Sequence, residues 1–253
     1  VNTAYPFAAA YLLAGGRPGW LLVAGTLFFL VPYNLAMYGI NDVFDYESDL
    51  RNPRKGGLEG AVLERATHRR VLWAAGVSTV PPALVLLAAG GPAASAVLLV
   101  SLFAVYAYSA PGLRFKERPV LDSITSSTHF VSPALYGLVL AGATFTPELW
   151  AILGAFFLWG MASHAFGAVQ DVIADREGGI ASIATAFGAA TTVRLAIASY
   201  AAAGILLLFT RWPTVLASAL ALPYILTCLP FWRISDADAE QANRGWKKFL
   251  ALN

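Results

Sequence analysis

The stretch from Trp20 to Asp49 reads WLLVAGTLFFLVPYNLAMYGINDVFDYESD and joins a long apolar segment to a cluster of carboxylates. Its apolar part, Trp20–Ile40, is long enough to cross the roughly 30 Å hydrocarbon core of a bilayer as a helix. A second such junction occurs where Leu149–Val169 runs into QDVIAD, residues 170–175. The chain is therefore predicted to span a membrane and to carry acidic groups at the ends of its spans.

The composition of the whole chain supports this prediction. Of the 253 residues, 58% are hydrophobic and 13% are charged, whereas soluble domains carry about 25% charged residues. Apolar segments, with Gly- and Pro-rich breaks at GGRPG, STVPP, GGP, TFTPE and TRWP, predict an all-α integral membrane protein with eight transmembrane helices. These segments are Ala4–Ala14, Trp20–Ile40, Val71–Ala89, Ala93–Ala110, Val120–Ala143, Leu149–Val169, Thr192–Phe209 and Thr214–Trp232.

We expect residues 1–253 to form a single domain that continues beyond both ends. The chain begins at Val1 rather than Met, and its last residues, KKFLALN, are typical of the start of another apolar helix near Trp246. We therefore expect nine helices in the full protein. The single cysteine, Cys228, excludes an internal disulfide, and the net charge of +2 is too small to indicate binding of nucleic acid.

Charged residues are distributed unevenly among the loops. Of the 17 basic residues, 15 follow even-numbered spans, and only Arg17 and Arg211 fall in the alternate loops. The positive-inside rule therefore places the loops after even-numbered spans and the N-terminus in the cytoplasm. We expect a multi-pass protein of the plasma membrane. Of the 15 acidic residues, 14 lie on the same side, with Glu148 alone opposite. This one-sided pattern predicts a functional site on the cytoplasmic face.

Two aspartate motifs lie on that face. Asn41, Asp45 and Asp49 recur every four residues, and Asp171 and Asp175 repeat the spacing. On a continuous helix such residues form one stripe, and like charges at this spacing are destabilising without a bound cation. Carboxylates without His or Cys partners favour Mg²⁺, which binds through one or two carboxylates and substrate phosphates. Both motifs are therefore predicted to bind Mg²⁺ and to face each other across a cavity.

A basic loop follows the fourth span on the same face. It reads YSAPGLRFKERP, residues 108–119, and Arg114, Lys116 and Arg118 place three cations close together. Arg and Lys beside a metal site can bind the oxygens of a diphosphate. If that diphosphate carries an allylic chain, its departure leaves a carbocation that needs a water-poor pocket. The loop and the two motifs together therefore predict a diphosphate as the ligand.

The three motifs, NxxxDxxxD, YSxPxxRxK and DxxxD followed by GxxS, resemble those of the UbiA superfamily of intramembrane prenyltransferases. The resemblance covers essentially the whole chain in order and spacing. It implies helices around a central cavity that is closed by a cytoplasmic cap. It also implies Mg²⁺-dependent transfer of a prenyl group from an allylic diphosphate to a lipophilic acceptor within the membrane lipid.

The resemblance assigns roles to particular residues. The catalytic metal and diphosphate site is expected at Asn41, Asp45, Asp49, Asp171, Asp175 and Lys116. Asp42 ranks lower as a metal ligand, because it lies about 100° from the stripe on a helix. Direct binding of the diphosphate is expected from Lys116, Arg114, Arg118, Arg51 and Arg54, with Tyr108 either orienting a phosphate or only packing.

One segment indicates a branch of the family. LRNPRKGGLEGAV, residues 50–62, departs from the common family pattern and is similar to the bacterial lycopene elongases, which attach C5 units to a C40 polyene. This similarity implies dimethylallyl diphosphate as donor and lycopene as acceptor. Candidates to line the acceptor cavity are Phe28, Phe29, Tyr33, Phe103, Tyr106, Phe130, Tyr136, Phe156, Phe157, Trp159 and Phe166.

Two alternatives remain open. The same chemistry could prenylate an aromatic or quinone precursor or a lipid alcohol. A protein of a different class, an ion-coupled carrier, could use the aspartates as cation ligands. The one-sided distribution of charge argues against a carrier, which is expected to have polar groups near the middle of the bilayer.

Overall fold

The computed structural model describes residues 2–50 and 62–253, without the side chains of residues 48 and 49. Within these ranges the chain forms helices, loops and short 3₁₀ turns and has no strand. The helices are α1 Ala4–Leu13, α2 Trp20–Leu30, α3 Pro32–Phe44, α4 Tyr46–Asp49, α5 Arg65–Ser109, α6 Leu121–Leu140, α7 Pro147–Val169, α8 Val172–Glu177, α9 Ile183–Phe187, α10 Ala189–Leu208, α11 Ala221–Cys228 and α12 Asn243–Leu252. The 3₁₀ turns are Phe115–Glu117, Thr214–Leu220, Leu229–Phe231 and Asp236–Ala242. The all-α prediction is confirmed.

Several helical segments can cross a bilayer by length and composition. Five such segments occur among the described residues: Trp20–Phe44, Arg65–Ser109, Pro147–Val169, Ala189–Leu208 and Thr214–Phe231. Helix α1 is shorter, and α6 is not among the five because its first half is rich in Ser and Thr. The structure therefore has the helices of a multi-span membrane protein, while the count of eight spans stays a prediction.

Helix α5 contains two of the predicted spans and breaks between them. Gly91 has a φ of +67° and a ψ of 176°, a conformation that L-residues rarely adopt, so the break at GGP is confirmed. The predicted break at STVPP is wrong, because the helix continues through Pro81 and Pro82. Proline fixes φ near its helical value, and membrane helices tolerate the hydrogen bond that it removes.

The chain divides into two compact units. The first comprises Val1–Arg114 and Thr128–Thr144, and the second comprises Phe115–Ser127 and Phe145–Asn253. The division falls inside α6, whose residues 121–127 belong to the second unit. Each unit has its own cluster of buried apolar residues.

Aromatic rings fill the core of the first unit. The Phe7 ring lies 5.3 Å from the Phe29 ring and 5.8 Å from the Tyr136 ring, measured between centroids. Phe28 and Tyr33 complete this cluster, and all of these side chains are fully buried. Four residues that the sequence suggests as lining of an open cavity, Phe28, Phe29, Tyr33 and Tyr136, are therefore used in packing.

Helix α6 approaches α1 closely at Gly137, within the first unit. A Cβ atom at this position would lie 2.5 Å from the carbonyl oxygen of Phe7 and 3.1 Å from the backbone nitrogen of Tyr11. Small residues allow the backbones of membrane helices to come this near. Gly137 therefore sets the distance between these two helices.

The second unit is built on the packing of α7 against α10. Ser163 and Tyr200 join the two helices through a hydrogen bond of 3.0 Å between their hydroxyl oxygens. At one end of this helix pair, the backbone N–H of Arg211 donates to Glu148 Oε1 over 2.7 Å. The Nε atom of the Arg211 side chain lies 4.0 Å from Glu148 Oε2. Because Glu148 begins α7 and Arg211 follows α10, the helices are antiparallel. The loop before α7 and the loop after α10 therefore lie at the same end of the second unit.

Candidate active site

The first aspartate motif meets the start of the basic loop within the first unit. Ser109, the last residue of α5, donates its hydroxyl hydrogen to Asn41 Oδ1 over 2.9 Å. Arg114 Nη2 lies 3.9 Å from Asp45 Oδ1. The Asp45 side chain is only 10% exposed, and a buried carboxylate needs a cation or hydrogen-bond donors to offset its lost hydration. The structure thus brings together three residues that the sequence assigns to the site.

The helix bends at Asp45 rather than continuing to Asp49. Helix α3 ends at Phe44, and Asp45 has φ −96° and ψ −2° before the short helix α4 begins. The backbone N–H of Asp45 still donates to the carbonyl oxygen of Asn41 over 2.9 Å. The prediction of one continuous stripe is therefore correct from Asn41 to Asp45 and wrong beyond it, because Asp49 belongs to a separate helix.

Other residues of the first motif are less fully described. Asp42 lies on α3 and is half-buried. Asp49 ends α4, but its side chain lies outside the described part of the structure. Arg51 and Arg54 also lie outside the described residues.

The start of α5 braces α4. The guanidinium of Arg65 lies 5.3 Å from the centroid of the Tyr46 ring, and His68 contacts the same ring edge-on at 4.9 Å. Arg65 also forms an ion pair with Glu47. Helix α4, which carries the end of the first motif, is therefore held in place by residues at the start of α5.

The second motif shows the same backbone bend. Helix α7 ends at Val169, and Asp171 has φ −96° and ψ −3° at the start of α8. The backbone N–H of Asp175 donates to the carbonyl oxygen of Asp171 over 2.8 Å. Asp45 and Asp171 therefore occupy equivalent positions in two similar local structures, each at the bend between a long helix and a short one.

A turn after α8 explains the GxxS pattern. Gly179 has a φ of +69°, and the backbone N–H of Ile180 donates to the carbonyl oxygen of Asp175 over 2.8 Å. The chain is thereby turned back, so that the Ser182 hydroxyl donates to Asp175 Oδ2 over 3.3 Å. Ser182 also caps helix α9, where its Oγ accepts the backbone N–H of Thr185. Ser182 therefore links the second motif to the next helix.

The basic loop is held in a defined conformation. Arg114 has a φ of +40°, which is uncommon for a residue with a side chain. Lys116 lies in the 3₁₀ turn of the second unit and is half-buried, whereas Arg118 is exposed with its guanidinium 5.5 Å from the Phe115 ring centroid. The ring of Tyr108 packs edge-on against His129, with centroids 5.2 Å apart.

Asp122 is a buried carboxylate that the sequence does not mark as a site residue. Its Oδ2 accepts the backbone N–H of Ile183 over 2.6 Å, next to Ser182. The signal in the sequence was a single Asp at the start of an apolar span, which an ordinary helix end also explains.

A second carboxylate joins the elements that follow α8. Asp236 Oδ1 accepts the backbone N–H of Ala189 over 2.6 Å, and Oδ2 lies 2.7 Å from Arg176 Nη1. The hydrogen bond from Ala189 and then the contact with Arg176 hold the pKa of Asp236 below its ordinary value of 3.8, against the opposing effect of partial burial. The contacts of Asp236 with Ala189 and Arg176 therefore stabilise the segment around α8, which carries the second motif.

The donor atoms of the two motifs fit Mg²⁺. In the described ranges, no group of three or more His, Cys, Asp or Glu side chains forms a preassembled metal cluster. Mg²⁺ needs no such cluster, because it keeps several waters and takes one or two carboxylates together with substrate phosphates. Asn41 and Asp45 are candidate oxygen ligands one helical turn apart, and Asp171 and Asp175 have the same spacing. No sulfur or imidazole competes within either motif.

An all-helical, multi-span membrane protein with two such motifs defines a narrow class, and comparisons with known proteins identify it. The UbiA prenyltransferase family model matches residues 3–253. The chain belongs to the UbiA prenyltransferase family and is a prenyltransferase. The resemblance drawn from the three motifs is confirmed, and the alternative of an ion-coupled carrier is wrong.

Two bacterial relatives are similar over the full chain. The chain is 54% identical over 253 residues to a lycopene elongase/hydratase of Corynebacterium glutamicum, covering all of this chain and 88% of that protein. It is 58% identical over 254 residues to the C(50) beta-cyclic carotenoids biosynthesis protein LbtBC of Dietzia sp. (strain CQ4), of whose length it covers 59%.

A solved structure has the same fold. A UbiA homolog from Archaeoglobus fulgidus, bound to DMAPP and Mg²⁺, matches with a TM-score of 0.70 at 21% identity, covering 99% of this chain and 93% of that one. At this identity the match establishes the fold alone.

Proposed function

We propose that this prenyltransferase transfers a dimethylallyl group from its diphosphate to lycopene in a Mg²⁺-dependent reaction. The observation that carries the donor half of the proposal is the approach of Arg114 to Asp45, 3.9 Å apart, beside the hydrogen bond from Ser109 to Asn41. Cationic and carboxylate groups side by side suit a diphosphate that is bound partly through a metal ion and partly directly. The name of the Corynebacterium relative supports lycopene as the acceptor, and the name of the Dietzia relative supports a C50 carotenoid as the product.

The proposal assigns a role to each part of the site. Bound Mg²⁺ would neutralise negative charge on the diphosphate as its C–O bond breaks. Direct contacts to diphosphate oxygens would come from Lys116, with Arg114, Arg118, Arg51 and Arg54, and Tyr108 would orient a phosphate. The residues that would hold Mg²⁺ are Asn41, Asp45, Asp49, Asp171 and Asp175, with a weaker contribution from Asp42.

The chemistry of the acceptor follows from the donor. When the allylic C–O bond breaks, both electrons leave with the diphosphate and a dimethylallyl cation remains. A terminal double bond of lycopene supplies the electron pair for the new C–C bond, which creates a tertiary cation on the acceptor. That cation loses a proton or takes up water, and in the second case the water releases a proton. Exclusion of water during the first step prevents capture of the dimethylallyl cation.

We further infer that residues 1–253 form one domain with eight spans around a central cavity, and that the motifs form a cap on the cytoplasmic side of the plasma membrane. One family model spans residues 3–253 across both units, which supports a single domain. The segregation of 15 of the 17 basic residues to one side supports the orientation.

An assay with purified protein tests this function. Labelled dimethylallyl diphosphate, lycopene in detergent micelles and Mg²⁺ are incubated, and products are separated by mass. We expect products that are one or two C5 units heavier than lycopene and that disappear when the metal is chelated.

Two other results would redirect the proposal. Turnover with 4-hydroxybenzoate or a lipid alcohol, but not with lycopene, would replace the acceptor and keep the chemistry. Absence of turnover with any acceptor, together with no Mg²⁺-dependent retention of dimethylallyl diphosphate, would overturn the donor as well.

A further inference from the structure

Asp122 is a fully buried carboxylate at the first turn of α6. Its Oδ1 accepts the backbone N–H of Ser123 over 2.6 Å and the Ser123 hydroxyl over 3.2 Å. Its Oδ2 accepts the backbone N–H of Ile183 over 2.6 Å and lies 3.7 Å from His164 Nε2. Both oxygens are therefore engaged, which a carboxylate removed from water requires.

The contacts of Asp122 reach the second aspartate motif in two steps. Ile183, whose N–H it binds, directly follows Ser182 in the chain. Ser182 in turn donates its hydroxyl hydrogen to Asp175 Oδ2 over 3.3 Å. The position of the Ser182 hydroxyl, and through it the orientation of the Asp175 carboxylate, therefore depends on the bond between Asp122 and Ile183.

Asp122 is also tied to the end of the basic loop. Its backbone N–H donates to the carbonyl oxygen of Arg118 over 2.9 Å, and the N–H of Arg118 donates to the carbonyl oxygen of Phe115 over 3.1 Å. One residue thus joins the turn that carries Lys116 to the segment that orients Asp175. All of these contacts lie within the second unit.

We propose that Asp122 is a positioning residue that sets the Asp175 carboxylate for Mg²⁺–diphosphate binding by holding the backbone at Ile183 and Ser182. This inference rests on the proposed function, because it assumes that Asp175 binds the metal. Partners of metal ligands typically change metal affinity or activity by about 10–100-fold when they are removed. Asp122 touches neither substrate nor metal in this role and acts through Ser182.

The test measures binding rather than turnover. Retention of radiolabelled dimethylallyl diphosphate by detergent-purified protein is measured by equilibrium dialysis without acceptor, over a range of Mg²⁺ concentrations. The Asp122→Asn variant keeps the volume of the side chain but turns one acceptor into a donor that faces an N–H group. We expect its half-saturating Mg²⁺ concentration to rise about tenfold, with donor retention restored at high Mg²⁺.

A second pair of variants leaves Asp122 unchanged. Ile183→Pro removes the N–H that Asp122 binds, together with part of a buried apolar side chain, at the first position of a helix where proline is favoured, after a residue in extended conformation. Ile183→Val is its control, because it retains that N–H with a similar side chain. We expect the proline variant to behave as Asp122→Asn does and the valine variant to stay within about twofold of the wild type.

Further variants separate positioning from general stability. Ser127→Ala removes another buried hydrogen bond of α6, to the carbonyl oxygen of Phe157 at 2.7 Å, and is expected to leave the Mg²⁺ dependence unchanged. Ser182→Ala should raise the half-saturating Mg²⁺ concentration, and adding Asp122→Asn to it should change the value by less than about twofold, since both act on one contact.

Each outcome has a defined meaning. An unchanged Mg²⁺ dependence in folded Asp122→Asn and Ile183→Pro proteins would overturn the proposal, as would multiplicative effects in the double variant. A wild-type protein that retains no donor at any Mg²⁺ concentration would instead refute the proposed function itself. If Asp122→Asn fails to fold, the comparison of Ile183→Pro with Ile183→Val decides.

Discussion

Ser109 and Asn41 are joined by a hydrogen bond of 2.9 Å although 68 residues separate them in sequence. The bond holds the side chain of Asn41 through its Oδ1 atom. It also ties the YS pair of the basic loop to the first aspartate motif. The start of the basic loop and the first aspartate motif are therefore in direct contact within the first unit.

Removal of the Ser109 hydroxyl should lower kcat/KM for the donor by roughly 3–10-fold, since a typical hydrogen bond contributes about 0.5–1.5 kcal/mol. Ser109→Ala is measured against Ser78→Ala, which removes a hydroxyl on the same helix that donates to the nearby carbonyl oxygen of Ala75. Equal rates for the two variants would mean that the orientation of Asn41 does not matter.

Loss of the carboxylate of Asp45 or of Asp171, the two residues at the helix bends, should abolish most activity. We expect Asp45→Asn and Asp171→Asn each to reduce turnover by on the order of 100-fold or more, because each removes a charged oxygen from a proposed metal ligand. Product formation is followed by mass with dimethylallyl diphosphate and lycopene. The control is Glu177→Gln, which neutralises an exposed carboxylate two residues after Asp175.

Asp45 and Asp171 lie at equivalent helix bends, so substitution of either residue should have a similar effect. Because Asp45 and Asp171 have the same backbone conformation, their Asn variants should require similarly raised Mg²⁺ concentrations. A large effect at one position and none at the other would contradict the equivalence.

Replacement of Arg114 should weaken donor binding more than it slows the chemical step. Asn tolerates the positive φ of this position, so Arg114→Asn removes the guanidinium with little backbone strain. We expect the KM for the donor to rise roughly tenfold, as for loss of a charge-assisted hydrogen bond. Steady-state kinetics of Arg17→Gln, an exposed basic residue of an alternate loop, should match those of the wild type.

Asp236 should make stability depend on pH in the acid range. Its folded pKa is lowered, so its contribution to stability is fully present above the ordinary value of 3.8 and is lost as the pH falls through the folded pKa. Asp236→Asn should therefore lower the thermal midpoint at pH 7, and its difference from the wild type should shrink below pH about 4.

The matched control for this pH effect is Glu240→Gln, an exposed carboxylate in the same 3₁₀ turn. Thermal midpoints of the three proteins are compared in detergent at several pH values. A deficit of Asp236→Asn that stays constant from pH 7 to pH 3 would show that its charge is not responsible.

Gly137→Ala should destabilise the first unit by about 1–3 kcal/mol, because the added methyl group meets the backbone of α1 and cannot be relieved by a side-chain movement. Gly76→Ala on α5 has no atom within 4 Å of the new methyl group and should instead stabilise the helix by about 0.5–1 kcal/mol. Free energies of unfolding in mixed micelles measure both variants, and opposite signs are expected.

The sequence predicted the parts of this protein that depend on local spacing. Helical periodicity, the break at Gly91 and the pairs Asn41–Asp45 and Asp171–Asp175 all involve neighbours along the chain. It overestimated the length of the first stripe, because nothing in NDVFDYESD distinguishes a continuous helix from one that bends at Asp45.

What the sequence did not predict depends on contacts between distant segments. Ser109 meets Asn41 from 68 residues away, and Asp122 meets Ile183 from 61 residues away. An isolated hydroxyl or carboxylate at the end of a helix belongs to no periodic pattern, so the sequence does not indicate which distant residue it contacts. Only the fold reveals which of many such groups orient the motif residues.

The contact between Glu148 and Arg211 bears on how the protein enters the membrane. In the proposed orientation, each of these residues lies in a loop that must be carried across the bilayer during insertion. Arg211 opposes that passage, because positively charged loops are retained on the cytoplasmic side. Its later contact with Glu148 brings the opposite charges of these two loops together once α7 and α10 have packed. Assembly of the helix pair therefore favours the translocated arrangement after insertion.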